Sequence, residues 1–206
     1  TLLSAALAAV VAIVIGMPTG LIAGYYPGWF DSSSNWLTGL VMSLPSIVVL
    51  LAARAALGPS VWISMSIFGV LLSPSFYRLV RTSVQGVRGE LYVDAARVGG
   101  LSDTRIIGRH VLFVVRAPII IQAAMVGGIA ISMQSGLEFL GLGDPRVPAW
   151  GVMLSDAFRN IYLAPLLLIW PGVAISATIA ALAITANALR DALEDRGTDE
   201  KRSRTT

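Results

Sequence analysis

Five apolar stretches, at about 2–25, 36–54, 61–80, 114–137 and 161–188, dominate the sequence. Each approaches or exceeds the roughly 20 residues needed to cross a hydrocarbon layer of about 30 Å. Lipid offers no partner to an exposed backbone N–H or C=O, so each stretch has to close its hydrogen bonds internally, as a helix. Charged residues make up only 13% of the chain, against roughly 25% in a soluble domain. The expected fold is therefore an all-α membrane protein, a single polytopic bundle over residues 1–206. Proline lies in or at the edge of every stretch (Pro18, Pro45, Pro74, Pro118, Pro165, Pro171), which predicts kinked helices.

The residue inventory excludes several chemistries. With no cysteine there is no disulfide, thiolate metal site or cysteine nucleophile. Lys201, in the polar tail, is the only lysine, so the chain has no phosphate-binding loop of the G-x-x-x-x-G-K-[ST] type. His110 is the only histidine, which excludes the two-histidine zinc motif and leaves no serine triad that does not use His110. No metal site is expected of this chain. The net charge of +3 is small and unevenly placed, so it reports membrane orientation and gives no reason to expect nucleic acid.

Orientation follows from the basic residues. Arg78, Arg81, Arg88, Arg97, Arg105, Arg109 and Arg116 surround the loop between the third and fourth stretches; Arg190, Arg196, Lys201, Arg202 and Arg204 lie in the tail. Twelve of the fifteen basic residues thus fall in two regions separated by two crossings. Two crossings return the chain to the same side, so both the loop at about 81–113 and the tail at about 189–206 are expected in the cytoplasm. Counting back puts 26–35 in the cytoplasm, with 55–60, 138–160 and Thr1 outside. An outside start with neither initiating Met nor signal peptide predicts one more helix upstream, six in the complete protein.

Gly16, Gly20 and Gly24 recur at four-residue spacing and leave a groove along the first helix where another helix can approach, from this chain or from another subunit. Tyr25-Tyr26-Pro27-Gly28-Trp29 follows at the depth of a membrane boundary, where an aromatic belt is sufficient explanation. The external segment 138–160 contains Gly141, Gly143, Pro145, Pro148 and Trp150-Gly151, with a short amphipathic turn expected at Val152–Phe158. It is either a plain connector or a mouth or partner surface. Gln122, Met125, Ser132, Met133 and Gln134 are candidates for lining a translocation path, although amides and Met in a helix more often pack.

Between the arginines, residues Glu90 to Val98 support one short helix. Leu91, Ala95 and Val98 share one face, and Glu90, Asp94 and Arg97 another. Gly99-Gly100 then stops the helix, since glycine supplies a left-handed cap. Ser102 or Asp103 can begin a second helix in which Arg105 and Arg109 share a face. Small Ala95 and Ala96 allow close approach of another protein, and Asp94 and Arg97 offer charges to fix its register. A loop lying flat on lipid headgroups fits the same arginines.

Asp94-Ala95-Ala96, then Gly99 or Gly100, then Ile106-Ile107 and Arg109-His110-Val111-Leu112, resemble the EAA loop of the peptide/nickel class of ABC importer permeases. Further matches follow in order along nearly the whole chain: Ala23-Gly24-Tyr25-Tyr26 with Gly28-Trp29 and Asp31, Phe139-Leu140-Gly141-Leu142-Gly143, Trp150-Gly151 with Met153-Leu154, and Leu189-Arg190-Asp191-Ala192-Leu193. The pattern is similar to the second permease subunit of an oligopeptide or dipeptide importer. Departures are Asp94 for the usual Glu, Phe113 for a closing Pro, Glu138 for a common Ser, and Ala186-Asn187-Ala188 for a Gly-Asp-Gly-like turn. Asp94 keeps the charge; Phe113 bears on how sharply the following helix is entered.

The resemblance implies a permease subunit in the inner or plasma membrane of a prokaryote. Its partners would be a second homologous permease subunit, two ABC ATPase subunits holding ATP and Mg, an extracytoplasmic substrate-binding protein or lipoprotein, and membrane lipid. Glu90, Asp94, Ala95, Ala96, Arg97, Gly99 and Gly100 would couple to an ATPase subunit, and helices bearing Pro45, Pro74 and Pro118 would switch access to the pathway. Nickel chelates, glutathione and opines are alternative cargoes within the same class. An ion-driven secondary transporter would need ionisable groups at mid-membrane, and the sequence offers only Arg54 and Glu138 near helix ends. A membrane scaffold that merely docks a partner is the remaining alternative.

Overall fold

The structure is a computed structural model that describes residues 1–58, 60–143 and 147–203, with side chains as far as residue 192. Pro145 of the 138–160 segment, and the side chains of Leu193, Arg196, Lys201, Arg202 and Arg204 in the tail, lie outside this description. The described residues form α1 (Leu2–Tyr25), α2 (Trp29–Ser43), α3 (Ser46–Leu57), α4 (Val61–Val87), α5 (Leu91–Val98), α6 (Asp103–Ile106), α7 (Leu112–Leu137), α8 (Trp150–Arg159) and α9 (Ile169–Ser203). π-turns at Ile107–Val111 and Glu138–Leu142 flank α7, and a 3-10 turn at Pro165–Leu168 precedes α9. Four continuous helical stretches are long and apolar enough to cross a membrane, and α2 with α3 makes a fifth if the bent pair is one span.

The expected single helix at 36–54 is instead this broken pair, bent by 80°. Pro45 provides no N–H and drives Leu44 out of the helical region, to φ −81° and ψ 128°. The helical part also begins earlier, at Trp29, inside the expected 26–35 loop. The other prolines do not break their helices: Pro18, Pro74 and Pro118 sit inside continuous α1, α4 and α7. Helix ends depart from the apolar limits for one reason. Hydropathy marks where lipid ends, whereas a helix ends where its backbone is interrupted. Thus α4 runs past residue 80 to Val87, just before Gly89, the helix leading into α7 already begins at Asp103, and α9 starts only after Pro165 and continues beyond 188 through Ala186-Asn187-Ala188.

The centre of the bundle is a close α1–α4 pair. Ala5, Ala8, Ala12, Gly16, Gly20 and Gly24 form a buried small-residue seam on α1. A Cβ at Gly20 would lie 2.8 Å from the Tyr77 carbonyl oxygen, and one at Gly24 2.7 Å from Val84 Cβ. A Cβ at Gly69 of α4 would likewise come 2.6 Å from the Ala8 carbonyl. The glycine groove therefore receives a helix of the same chain, which settles the choice left open by spacing alone. α7 packs across both helices, and α9 lies along α7, with Ile179 and Leu182 next to Gly128 and Gly127.

Two buried clusters divide the bundle. Tyr25, Phe76, Val80, Val84, Val93, Ala96, Ile106, Val111 and Val115 fill the arginine-rich end. Ala5, Ala8, Leu50, Met65, Phe68, Ala130, Ile131 and Leu137 fill the opposite end. Outward apolar side chains such as Val14, Trp170 and Ile184 suit a lipid or subunit surface.

Candidate functional site

The arginine-rich end is built around α5. Val93 and Ala96, three residues apart, are buried in the core with Ile106, so this helix rests on the bundle by one edge. Its C-terminus closes by a Schellman arrangement: Leu101 N–H donates to the Ala96 carbonyl at 3.1 Å and Gly100 N–H to the Arg97 carbonyl at 3.0 Å. Gly100 is the residue in the left-handed region, at φ +79°, while Gly99 keeps φ −71°. Leu101 is thereby turned back onto the core. The opposite face of α5 is open, with Leu91 85% and Val98 90% exposed and Ala95 between them.

Ala96 does not belong to that open face. It is 9% exposed and faces its own chain, so of the two alanines expected to meet another protein only Ala95 is presented. Glu90 stands exposed as the N-cap, and Asp94 pairs with Arg97 at 3.2 Å on the outer surface. Arg105 and Arg109 are exposed on the following helical segment, which passes through a π-turn into α7 without the sharp entry a proline would give at Phe113.

The polar contacts beneath α5 come from residues distant in sequence. Tyr25 donates its hydroxyl to Asp103 Oδ1 at 2.8 Å, and Tyr26 donates to Oδ2 of the same carboxylate at 2.9 Å. Arg97 Nη2 donates to the Tyr25 hydroxyl at 3.2 Å. Tyr25 is 6% exposed, so this ring belongs to a hydrogen-bonded junction, whereas Tyr26 and Trp29 of the same cluster stay exposed. The Asp103 carboxylate accepts from the Tyr26 phenol and, with its charge nearby, holds that phenol above the usual tyrosine range. Ser102 takes the N-cap position of α6 without a side-chain cap bond, and Asp103 turns to the tyrosines.

Two arginines fasten neighbouring elements. Arg81 of α4 makes a two-pronged ion pair with Asp31 of α2, through Nε to Oδ1 and through Nη2 to Oδ2 at 2.8 Å. Arg88 Nη1 reaches the carbonyls of Gly24 and Tyr25, at 3.4 and 3.5 Å, where the end of α1 leaves its oxygens without helical donors. Asp31, Arg81 and Arg88 were missed as structural ties from sequence. An acidic residue beside an apolar segment was the available signal for Asp31, but nothing local named its partner.

At the opposite end, Glu138 is 4% exposed and lies where α7 meets α8. It accepts from Gln134 Nε2 at 2.6 Å, from Gly151 N–H at 3.2 Å and from the Thr1 hydroxyl at 3.1 Å. Gly151 must be glycine here, since a Cβ would meet the Ser135 carbonyl and stand 2.8 Å from Glu138 Oε2. The amphipathic turn expected at Val152–Phe158 is part of the longer α8. Of the path candidates, Met125 and Ser132 are exposed, Gln122 and Met133 partly so, and Gln134 is 2% exposed and bound to Glu138. Gln134 thus packs inside its own chain.

A family model described as "Binding-protein-dependent transport system inner membrane component" matches residues 16–198. The dipeptide transport system permease protein DppC of Alkalihalophilus pseudofirmus is 38% identical over 84% of this chain and 57% of that protein. The glutathione transport system permease protein GsiD of Escherichia coli is 34% identical over 82% of this chain and 56% of its own length. The probable peptide ABC transporter permease protein y4tQ of Sinorhizobium fredii is 36% identical over 95% of this chain and 67% of its own. The chain thus spans little more than half the length of DppC and GsiD. Among solved structures, the inward-facing MetNI methionine ABC transporter shares the fold, with TM-score 0.70 over 93% of this chain and 92% of that one at 15% identity. The helical bundle, the order of its motifs and these matches agree: the chain belongs to the family of binding-protein-dependent transport system inner membrane components.

Proposed function

We propose that this chain is a permease subunit of an ATP-driven ABC importer for short peptides, and that α5 is its contact with an ATPase subunit. The observation that carries the proposal is the two-sided character of α5. One edge is seated on the bundle through Val93 and Ala96, while Leu91, Ala95 and Val98 face outward at the arginine-rich end. A helix of 8 residues is too short to be stable alone, so an anchored edge and an open apolar face suit a rigid projection that another protein grips.

In this reading the arginine-rich end lies in the cytoplasm and α8 lies outside. Glu90, Asp94, Ala95, Arg97, Gly99 and Gly100 border the ATPase contact, and Ala96 fixes α5 from within. Two ATPase subunits binding ATP and Mg close on nucleotide, move α5, and switch the pathway formed with a second permease chain between inward and outward access. An extracytoplasmic binding protein delivers the cargo, and no bond is made or broken on this chain. The peptide class is supported by relatives named for dipeptide and peptide transport. Relatives named for glutathione transport support glutathione, itself a short peptide, as the second reading.

Uptake of labelled di- to pentapeptides, glutathione and radioactive nickel, compared in cells with and without the gene, tests the cargo. Loss of peptide uptake alone supports the first reading; loss of nickel uptake with peptide uptake intact replaces it. In the reconstituted complex, ATP hydrolysis should rise on adding cargo-loaded binding protein, and no response would leave only a membrane scaffold.

A further inference from the structure

We infer that Tyr25, Tyr26, Asp103 and Arg97 form a polar joint that carries displacement of α5 into α1 and α7, and that these four are positioning residues for coupling. The inference rests on the reading of α5 as the ATPase contact and deepens it. Packing alone ties α5 to the bundle through two small side chains, Val93 and Ala96. Apolar contacts of that size resist separation but let a short helix slide or turn. Hydrogen bonds with fixed geometry resist both.

The joint supplies such bonds in an unbroken sequence. Arg97 leaves α5 and donates to the Tyr25 hydroxyl at 3.2 Å, with its guanidinium carbon 5.9 Å from the centre of the Tyr25 ring. Tyr25, the last residue of α1, in turn donates its O–H to Asp103 Oδ1 at 2.8 Å. Asp103 opens the helical run that becomes α7, and its second oxygen is held by Tyr26 at 2.9 Å. The two rings stand edge to face, 4.9 Å between centres, a contact that favours both phenols in these positions. Both carboxylate oxygens are thus committed to the end of α1. A push on α5 through Arg97 then reaches α1, which moves as one body with α4 because the glycine seam leaves no slack between them. It reaches α7 through Asp103.

The decisive variant is Tyr25→Phe, which keeps the ring and its packing and removes the hydroxyl shared by Arg97 and Asp103. Peptide uptake and ATP hydrolysis are measured together in vesicles holding the complete complex, normalised to assembled complex. Uptake per ATP should fall about tenfold, the scale of one charge-assisted hydrogen bond and of an ordinary coupling energy. Tyr26→Phe should lower it less, and Tyr25→Phe with Asp103→Asn should be little worse than Tyr25→Phe alone, because residues in one chain of bonds are not additive. An unchanged ratio in Tyr25→Phe, or independent multiplication in the double variant, overturns the joint. Leu91→Arg with Val98→Arg separates the two levels. If that pair leaves the ratio unchanged, the α5 contact itself fails; if it uncouples while Tyr25→Phe does not, only the joint fails.

Discussion

Ala95 and Ala96 are adjacent, yet their side chains meet different surroundings: Ala96 is packed among Val93 and Ile106 in the core, and Ala95 lies on the open face between Leu91 and Val98. One helical step of 100° is enough to divide them between the chain's own interior and whatever meets α5 from outside. Substitutions at the two positions therefore report different things.

Ala96→Trp should lower the stability of the assembled protein by overpacking, about 1–3 kcal/mol or more for an insertion into a packed core. Ala95→Trp should leave folding intact and weaken the contact with the ATPase. Thermal unfolding of the detergent-solubilised chain, set beside co-purification of the ATPase, separates the cases. Equal unfolding temperatures for the two variants would contradict the division between the faces.

The glycine seam gives a second contrast. A Cβ at Gly20 would stand 2.8 Å from the Tyr77 carbonyl and 2.9 Å from Val80 Cβ, whereas one at Gly39 in α2 meets nothing within 4 Å. Gly20→Ala should destabilise by about 1–3 kcal/mol. Gly39→Ala should be neutral or stabilising by up to about 1 kcal/mol, from helix propensity. Unfolding midpoints of the purified variants check both, and the same loss at Gly39 would show that glycine content, not the seam, is what matters.

Features decided within a few residues were legible in the sequence. The α5 helix and its glycine stop follow from local periodicity and one left-handed residue. The groove at Gly16, Gly20 and Gly24 was legible as a packing face, but no local pattern says which helix enters it. Pro45 and Pro74 look alike in the chain, and they differ because α4 is enclosed by α1 and α7 while the Leu44-Pro45 step is not. Tyr25 and Asp103 are 78 positions apart, so an aromatic cluster at a membrane boundary hid a carboxylate partner. Glu138 was visible as a charged residue near a helix end, one turn from Gln134, and its tie to Gly151 required the fold.

Glu138 yields a third expectation. Glu138→Ala would leave the buried Gln134 amide and the Gly151 N–H without their acceptor, each at about 1–3 kcal/mol. Glu138→Gln keeps one acceptor oxygen and should cost less. The joint between α7 and α8 should then open more often, so tryptic cleavage at exposed Arg159 should be fastest in Glu138→Ala, intermediate in Glu138→Gln and slowest in the parent. Identical cleavage rates in all three would mean that Glu138 does not hold this corner.

The last expectation concerns which end faces the cytoplasm. The 26 residues of α7 span about 39 Å at about 1.5 Å per residue, more than the hydrocarbon thickness of about 30 Å. Arg105 and Asn160, beyond its two ends, are therefore expected on opposite sides of the membrane. The positive-inside rule, applied to the arginines around α5, predicts that Arg105 faces inward. The 206 residues contain no cysteine, so Arg105→Cys and Asn160→Cys each introduce a single thiol here at an exposed position. An impermeant thiol reagent applied to intact cells should label Asn160→Cys and spare Arg105→Cys until the membrane is opened. The reverse pattern would turn the protein over and remove α5 from reach of any cytoplasmic ATPase. Protection of both until lysis would instead bury the end of α8 against another subunit, a case that labelling in denaturant distinguishes.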